Sequence, residues 1–127
     1  LNIASDPRND AFVASFQAMM QSRALDRMRR IMEDNYMFNL SLEAYARMCG
    51  RSLSAFKRDF QQLYQAAPGR WLREQRLRRA KLLLSAGDLQ VSEVAFQCGF
   101  ENLSHFSKSF KEEFGHSPTE LKKATAG

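Results

Sequence analysis

SLSAFKRDFQQLYQAAP, residues 52–68, and NLSHFSKSFKEEFGHSP, residues 102–118, are one unit written twice. At an offset of 50, Ser52/Asn102, Leu53/Leu103, Ser54/Ser104, Phe56/Phe106, Arg58/Lys108, Phe60/Phe110, Tyr64/Phe114 and Pro68/Pro118 correspond in type or identity. Upstream the echo continues at an offset of 49, where Leu42, Ala46, Cys49 and Gly50 meet Val91, Ala95, Cys98 and Gly99. The second copy has therefore gained one residue in its turn. A period of about fifty residues marks a supersecondary unit used as a building block.

Within each copy the aromatic residues recur at i, i+4 and i+8, as Phe56, Phe60, Tyr64 and as Phe106, Phe110, Phe114. That is one stripe of an amphipathic helix. Ser54, Arg58 and Gln61 project on the opposite side, as do Ser104, Lys108 and Lys111. Ser52 and Asn102 stand at the N-cap, where a side-chain oxygen takes first-turn N–H groups. A shorter amphipathic helix precedes each (about 42–48 and 91–97), and Gly50 or Gly99 supplies the tight turn between them. Helix, glycine turn and capped helix with a polar outer face make a helix-turn-helix. A single copy reads equally as an ordinary helical hairpin. Two matched copies with basic residues at equivalent outer places favour the first reading.

At 127 residues and 14.6 kDa the chain is one domain, or one domain with an arm, long enough to bury a core. Its 44% hydrophobic and 26% charged residues are those of a soluble globule, and no apolar run reaches membrane length. No basic-then-apolar leader suggests secretion, and the two cysteines lack paired or metal-ligand spacing. Reduced thiols in a cytoplasmic protein are expected.

The net charge of +5 is unevenly placed. Residues 1–41 cancel, with five Arg against five acids, whereas residues 47–81 carry ten Lys/Arg against Asp59 and Glu74, a local +8. Residues 82–127 hold four Lys against six acids. A concentrated positive field favours a polyanion, with duplex DNA foremost. An anionic membrane would need an apolar insertion face, and the stripes here read as core.

Residues 1–22 begin turn-like, LNIASDPRND, then place Phe12, Phe16, Met19 and Met20 on one side of a short amphipathic stretch. This segment is expected to be a linker or the tail of a missing N-terminal effector or dimerisation domain. Its two Phe are expected either to dock on the core or to stay partly exposed. Residues 23–36 form the first helix, with Leu25, Met28, Ile31 and Met32 inward. Ser41 caps the next, whose buried side is Leu42, Tyr45, Ala46 and Met48. A long helix over 68–86 joins the two units, starting on Pro68 without a good cap at Ala67 and ending at Gly87. It runs roughly 28 Å at 1.5 Å per residue. Among its cations, Arg76 is a candidate structural ion-pair member. Ser117-Pro118-Thr119-Glu120 is a capping box that opens a short last helix.

From about residue 25 to 121 the chain resembles the DNA-binding domain of the AraC/XylS family of bacterial transcription regulators. LEAYARMCGRSLSAFKRDF, RLRRAKLLL and VSEVAFQCGFENLSHFSKSFKEEFGHSP carry the resemblance. It implies an all-α fold of about seven helices, in which two helix-turn-helix subdomains (about 41–64 and 91–114, within a domain of 23–124) are joined by a long central helix. It further implies sequence-specific binding of double-stranded promoter DNA, contact with RNA polymerase in some members, and an effector, if any, bound by the separate N-terminal domain.

By position, Ser54, Lys57 and Arg58 of the first recognition helix, and Ser104, Ser107 and Lys108 of the second, fall where the family meets base edges. Arg58 has the chemistry for two hydrogen bonds to guanine, and Lys57 and Lys108 for base or phosphate. Arg51, Ser52, Asn102, His105 and Lys111 are candidate phosphate contacts, with packing the alternative for His105. Leu103 aligns with a base-contacting place in some members, although its helix angle points nearer the apolar stripe and predicts packing. Glu101, Glu112 and Glu113 offset the lysines of the second unit, so the first unit and the joining helix are expected to supply most of the electrostatic affinity.

An enzyme is disfavoured. His105 and His116 lie eleven apart, no residue set suits a metal or other cofactor, and no nucleophile triad or phosphate loop stands out. The remaining alternative is a protein-interaction module that kept the fold and lost DNA binding, which the +8 block argues against.

Overall fold

The structure is a computed structural model and describes residues 7–126. Those residues form seven α-helices and no strand: α1 (Pro7–Asn35), α2 (Leu42–Met48), α3 (Leu53–Tyr64), α4 (Pro68–Ala86), α5 (Val91–Gln97), α6 (Leu103–Phe114) and α7 (Pro118–Ala126). The all-α architecture matches the expectation, and both copies of the repeated unit have helices of equal length. The extra residue of the second copy lies between α5 and α6.

Local chemistry sets the helix starts. Ser41 Oγ accepts the Ala44 N–H, Ser52 Oγ that of Ala55, and Asn102 Oδ1 that of His105. Ser117 and Glu120 close a reciprocal box, each side chain accepting the other's backbone N–H. α4 begins after Ala67, which makes no side-chain cap, with Pro68 in its first turn; Gly87 ends it at φ +80°.

In both short turns a glycine sits at positive φ, +68° at Gly50 and +92° at Gly99. The N–H of the following residue, Arg51 or Phe100, then reaches back to the Ala46 or Ala95 carbonyl, satisfying an acceptor the ended helix leaves free. Gly99 is required twice over. A Cβ there would lie 2.7 Å from the Met37 carbonyl oxygen and 3.0 Å from Arg76 Nε, whereas one on Gly50 would meet open space.

Two separate cores result. The first joins Met28 and Met32 of α1, Tyr45, Ala46 and Cys49, Phe56 and Phe60 of α3, and Trp71 and Leu72 of α4. The second joins Leu77, Ala80 and Leu84 of α4, Val94, Ala95, Cys98 and Phe100, and Phe106 and Phe110 of α6. The aromatic stripes repeat in detail: ring centroids are 5.7 Å apart for Phe56–Phe60 and for Phe106–Phe110, then 4.6 Å for Phe60–Tyr64 and 4.7 Å for Phe110–Phe114. The repeat also extends further than the recognition helices. Met28/Leu77 and Ile31/Ala80 continue the offset of 49 back into α1 and α4, and Trp71/Leu121 continues the offset of 50 forward. α4 is thus the last helix of the first unit and the first helix of the second.

Two expectations are corrected. α1 is one helix of 29 residues from Pro7, where residues 7–10 were expected to turn and a helix to begin at 23. Pro7 is compatible with this helix because in a first turn its missing N–H has no partner to lose; residues 1–6, the rest of that turn reading, lie outside the described residues. Phe12 and Phe16 stack at 6.5 Å and are 68% and 49% exposed, the second of the two outcomes foreseen for them. Met48, expected inward, is exposed at the end of α2.

Candidate nucleic-acid interface

The aromatic stripes of α3 and α6 are buried, so their opposite faces turn to solvent. Ser54, Lys57, Arg58 and Gln61 are exposed on α3, and Ser104, Lys108 and Lys111 on α6, with Ser107 half-buried. At 100° per residue each set spans an arc of roughly 100°. Each helix therefore offers one polar strip of small hydroxyls and long cations, the residue types that reach base edges from a groove-inserted helix. Lys57, Lys108 and Lys111 enter no ion pair among the described residues.

Arg58 is anchored at its root. Its Nε lies 3.3 Å from Asp59 Oδ1, while the side chain stays 74% exposed. The two terminal nitrogens remain available, so the buried carboxylate holds the fork without consuming it. Asp59 itself is 2% exposed, and its other oxygen accepts from Arg51 Nη1. Arg51, a candidate phosphate contact, is therefore engaged in a partly buried ion pair that ties the turn to α3. In the second unit Phe100 and Ser109, both buried, occupy the places of Arg51 and Asp59. The equivalent buried places hold an ion pair in one copy and a Phe and a Ser in the other. The charge count registered Asp59 only as an offset; its place between Phe56 and Phe60, on the flank of the stripe, was the available signal.

The candidate phosphate contacts lie at the helix starts. Ser52 Oγ and Asn102 Oδ1 act as cap acceptors, which leaves the Ser52 hydroxyl hydrogen and the Asn102 amide free to donate. His105 is exposed, its ring 6.1 Å from that of Phe100. Leu103 corrects the sequence reading. It is 42% exposed at the first position of α6 and belongs to neither core, so it is not the core residue its helix angle predicts.

The structure also thins the basic block. Arg70 pairs with Glu74 at 3.0 Å, and Lys81 lies 4.7 Å above the Phe114 ring. Arg76, foreseen as an ion-pair member, instead donates to backbone carbonyls: Nε to Tyr36 O at 2.7 Å and Nη2 to Phe38 O at 2.8 Å. Arg47, Lys57, Arg73, Arg78 and Arg79 remain exposed and outside any ion pair among the described residues.

Other chemistries find little here. No group of three or more His, Cys, Asp or Glu among the described residues can hold a metal ion, and no described helix is long and apolar enough to cross a membrane. Both thiols are buried and free. Burial pushes the Cys98 thiol up to about 11 against a weak opposing pull from Arg79, and also raises Cys49. Neither is poised as a nucleophile.

Two capped helices with exposed polar strips, each set behind a glycine turn and joined by a shared helix, define a double helix-turn-helix DNA-binding domain. A family profile described as a helix-turn-helix domain matches residues 45–124. The virulence regulon transcriptional activator VirF of Yersinia enterocolitica is 33% identical over 101 residues, covering 80% of this chain and 37% of that protein. The transcriptional activator RhaS of Escherichia fergusonii is 38% identical over 91 residues, covering 72% and 33%. Among solved structures, the DNA-binding domain of AdpA in complex with a target DNA aligns with a TM-score of 0.73 at 30% identity, over 79% of this chain and 90% of that one. A probable AraC family transcriptional regulator from Rhodopseudomonas palustris aligns at 0.67 and 28%, over 81% and 97%. The chain belongs to the AraC/XylS family and carries its helix-turn-helix DNA-binding domain. It spans about a third of the length of the curated relatives it matches.

Proposed function

We propose that this chain binds double-stranded promoter DNA sequence-specifically, with α3 and α6 reading two adjacent major-groove segments. The observation that carries it is the twice-built polar strip, held outward by a buried aromatic stripe in both copies. Ser54, Lys57 and Arg58 face bases in the first segment, and Ser104, Ser107 and Lys108 in the second. Arg58 supplies the bidentate guanine contact through its free terminal nitrogens. Ser52, Asn102, His105 and Lys111 touch phosphates, whereas Arg51 does so only by giving up part of its pairing with Asp59. AdpA, a structural neighbour, was solved on its target DNA, which supports the assignment of the surface.

The whole protein acts as a cytoplasmic transcription activator, as its relatives VirF and RhaS are described, with residues 1–22 leading from an effector or dimerisation domain. The acid-rich second unit contacts RNA polymerase as well as DNA. A salt titration of duplex binding tests the core of this reading. Neutralising roughly five to eight phosphates gives a log–log slope of several units. A slope near zero would return the chain to the protein-interaction alternative.

A further inference from the structure

The two cores share no residue, and α4 passes from Leu72 in the first to Leu77 in the second. A single helix spanning that gap can bend and twist, so it does not by itself fix the angle between α3 and α6. A second connection lies beside it. Arg76, in the gap, donates from Nε to Tyr36 O and from Nη2 to Phe38 O and, at 3.4 Å, to the Tyr45 hydroxyl. These acceptors belong to the first unit, in its α1–α2 loop and α2. Against the same loop packs Gly99 of the second unit, where even a Cβ would collide with the Met37 carbonyl and with Arg76 Nε. Asn39 Nδ2 donates to Glu101 Oε1 across the same seam. The contact is close, polar and directional, and it stands on one side of a cleft of about 530 Å³ between the units.

We propose that Arg76, seated between the 36–39 loop and the Gly99 turn, is a positioning residue that locks the two recognition helices at one angle and thereby sets the separation of DNA boxes the protein accepts. This rests on the two-segment reading above. Arg76 touches no base in the proposal. Its effect is on register: each base pair inserted between two boxes shifts one by roughly 3.4 Å and turns it by about 35° around the duplex. A locked pair of helices cannot follow that rotation, and a loosened pair can.

The test measures affinities of the wild-type chain and its variants for a selected two-box duplex, the same duplex with one base pair inserted between boxes, and a duplex keeping only the first box. The wild type is expected to lose about tenfold or more on the insertion, comparable to a lost base contact. Arg76→Gln and Gly99→Ala are expected to cut that penalty to about threefold or less while leaving first-box affinity unchanged. Gly50→Ala, also at positive φ but with no neighbour within 4 Å, is expected to keep the full penalty. Asn39→Ala removes only an exposed bond across the seam; it shows a smaller loss of penalty and serves if Arg76→Gln does not fold. An undiminished penalty in folded Arg76→Gln, or in Gly99→Ala and Asn39→Ala together, overturns the proposal.

Failure of the two-segment reading looks different, because the wild type then shows no insertion penalty. The lock is still judged in the free protein, by spin labels at the equivalent exposed positions Gln62→Cys and Glu112→Cys. Their distance distribution is narrow in the wild-type background and broader with Arg76→Gln or Asn39→Ala. Equal widths reject the lock.

Discussion

Replacing Asp59 by Asn removes one charge from the first unit at almost constant shape. Asp59 is 2% exposed and serves two guanidinium groups, Arg51 in the turn and Arg58 on α3. Breaking a buried pair from one side costs about 3–5 kcal/mol, mostly because a buried charge is left unanswered. Here the stranded partner, Arg51, is 18% exposed and can turn partly to water, which brings the cost to the bottom of that range or just below it, about 2–3 kcal/mol. For a domain of this size roughly 4 °C of Tm accompanies each kcal/mol, giving a fall of about 8–12 °C. Thermal unfolding by circular dichroism at pH 7 reads it, with Arg29→Ala as control. The Arg29–Asp26 pair is half exposed on both sides and is worth a few tenths of a kcal/mol, roughly 2 °C at most. The double change Arg51→Phe with Asp59→Ser copies the second unit's own solution. It is expected to recover most of the loss, since apolar replacements of buried ion pairs are often neutral or better. If Asp59→Asn melted within about 2 °C of the wild type, the ionic tie would not be what secures the first turn.

Three further outcomes follow from the same geometry. Arg58→Ala is expected to weaken specific DNA binding by about 1–3 kcal/mol and to lower discrimination at one base pair, with Lys108→Ala costing clearly less; equal losses in an anisotropy titration count against the asymmetry between units. Asn102→Ala removes the α6 cap and is expected to cost about 1 kcal/mol of stability in a denaturant melt, and a loss indistinguishable from zero contradicts the capping role. The Cys98 thiol stays neutral in the fold up to about 11 while an exposed thiol ionises near 9, so its contribution is complete below pH 9 and fades as pH climbs toward 11. The stability gap between the wild type and Cys98→Ala should narrow across that window; a gap constant from pH 8 to 10.5 would refute it.

The double unit was readable because it rests on a strong, simple signal, aromatics at every fourth residue behind a capping residue and a glycine. Phe56, Phe60, Phe106 and Phe110 are indeed among the most buried side chains. The candidate base readers were placed on exposed faces by that same phase. What escaped the sequence reading is where polar groups deny the simple rule. Asp59 entered only as one acid in a charge count, and such a count does not register that its neighbours at i−3 and i+1 are core. Arg76 looked like an ion-pair partner, but its acceptors are carbonyls about forty residues away, which no local pattern reveals. Leu103 failed for the opposite reason: hydrophobic type and helix angle suggested core, but at the first position of α6 it stays 42% exposed while Phe100 and Phe106 on either side of it enter the core. Pro7 misled because a proline breaks a helix in progress yet is tolerated in a first turn.

Selection of bound sites from random duplexes is the most direct test of the central claim that one chain reads two grooves. The account predicts a site of two short boxes whose centres lie about one helical turn, roughly 10–10.5 base pairs, apart. Substitution at Arg58 should relax only one box and at Lys108 only the other. A single enriched box, altered by Arg58→Ala and untouched by Lys108→Ala, would contradict it.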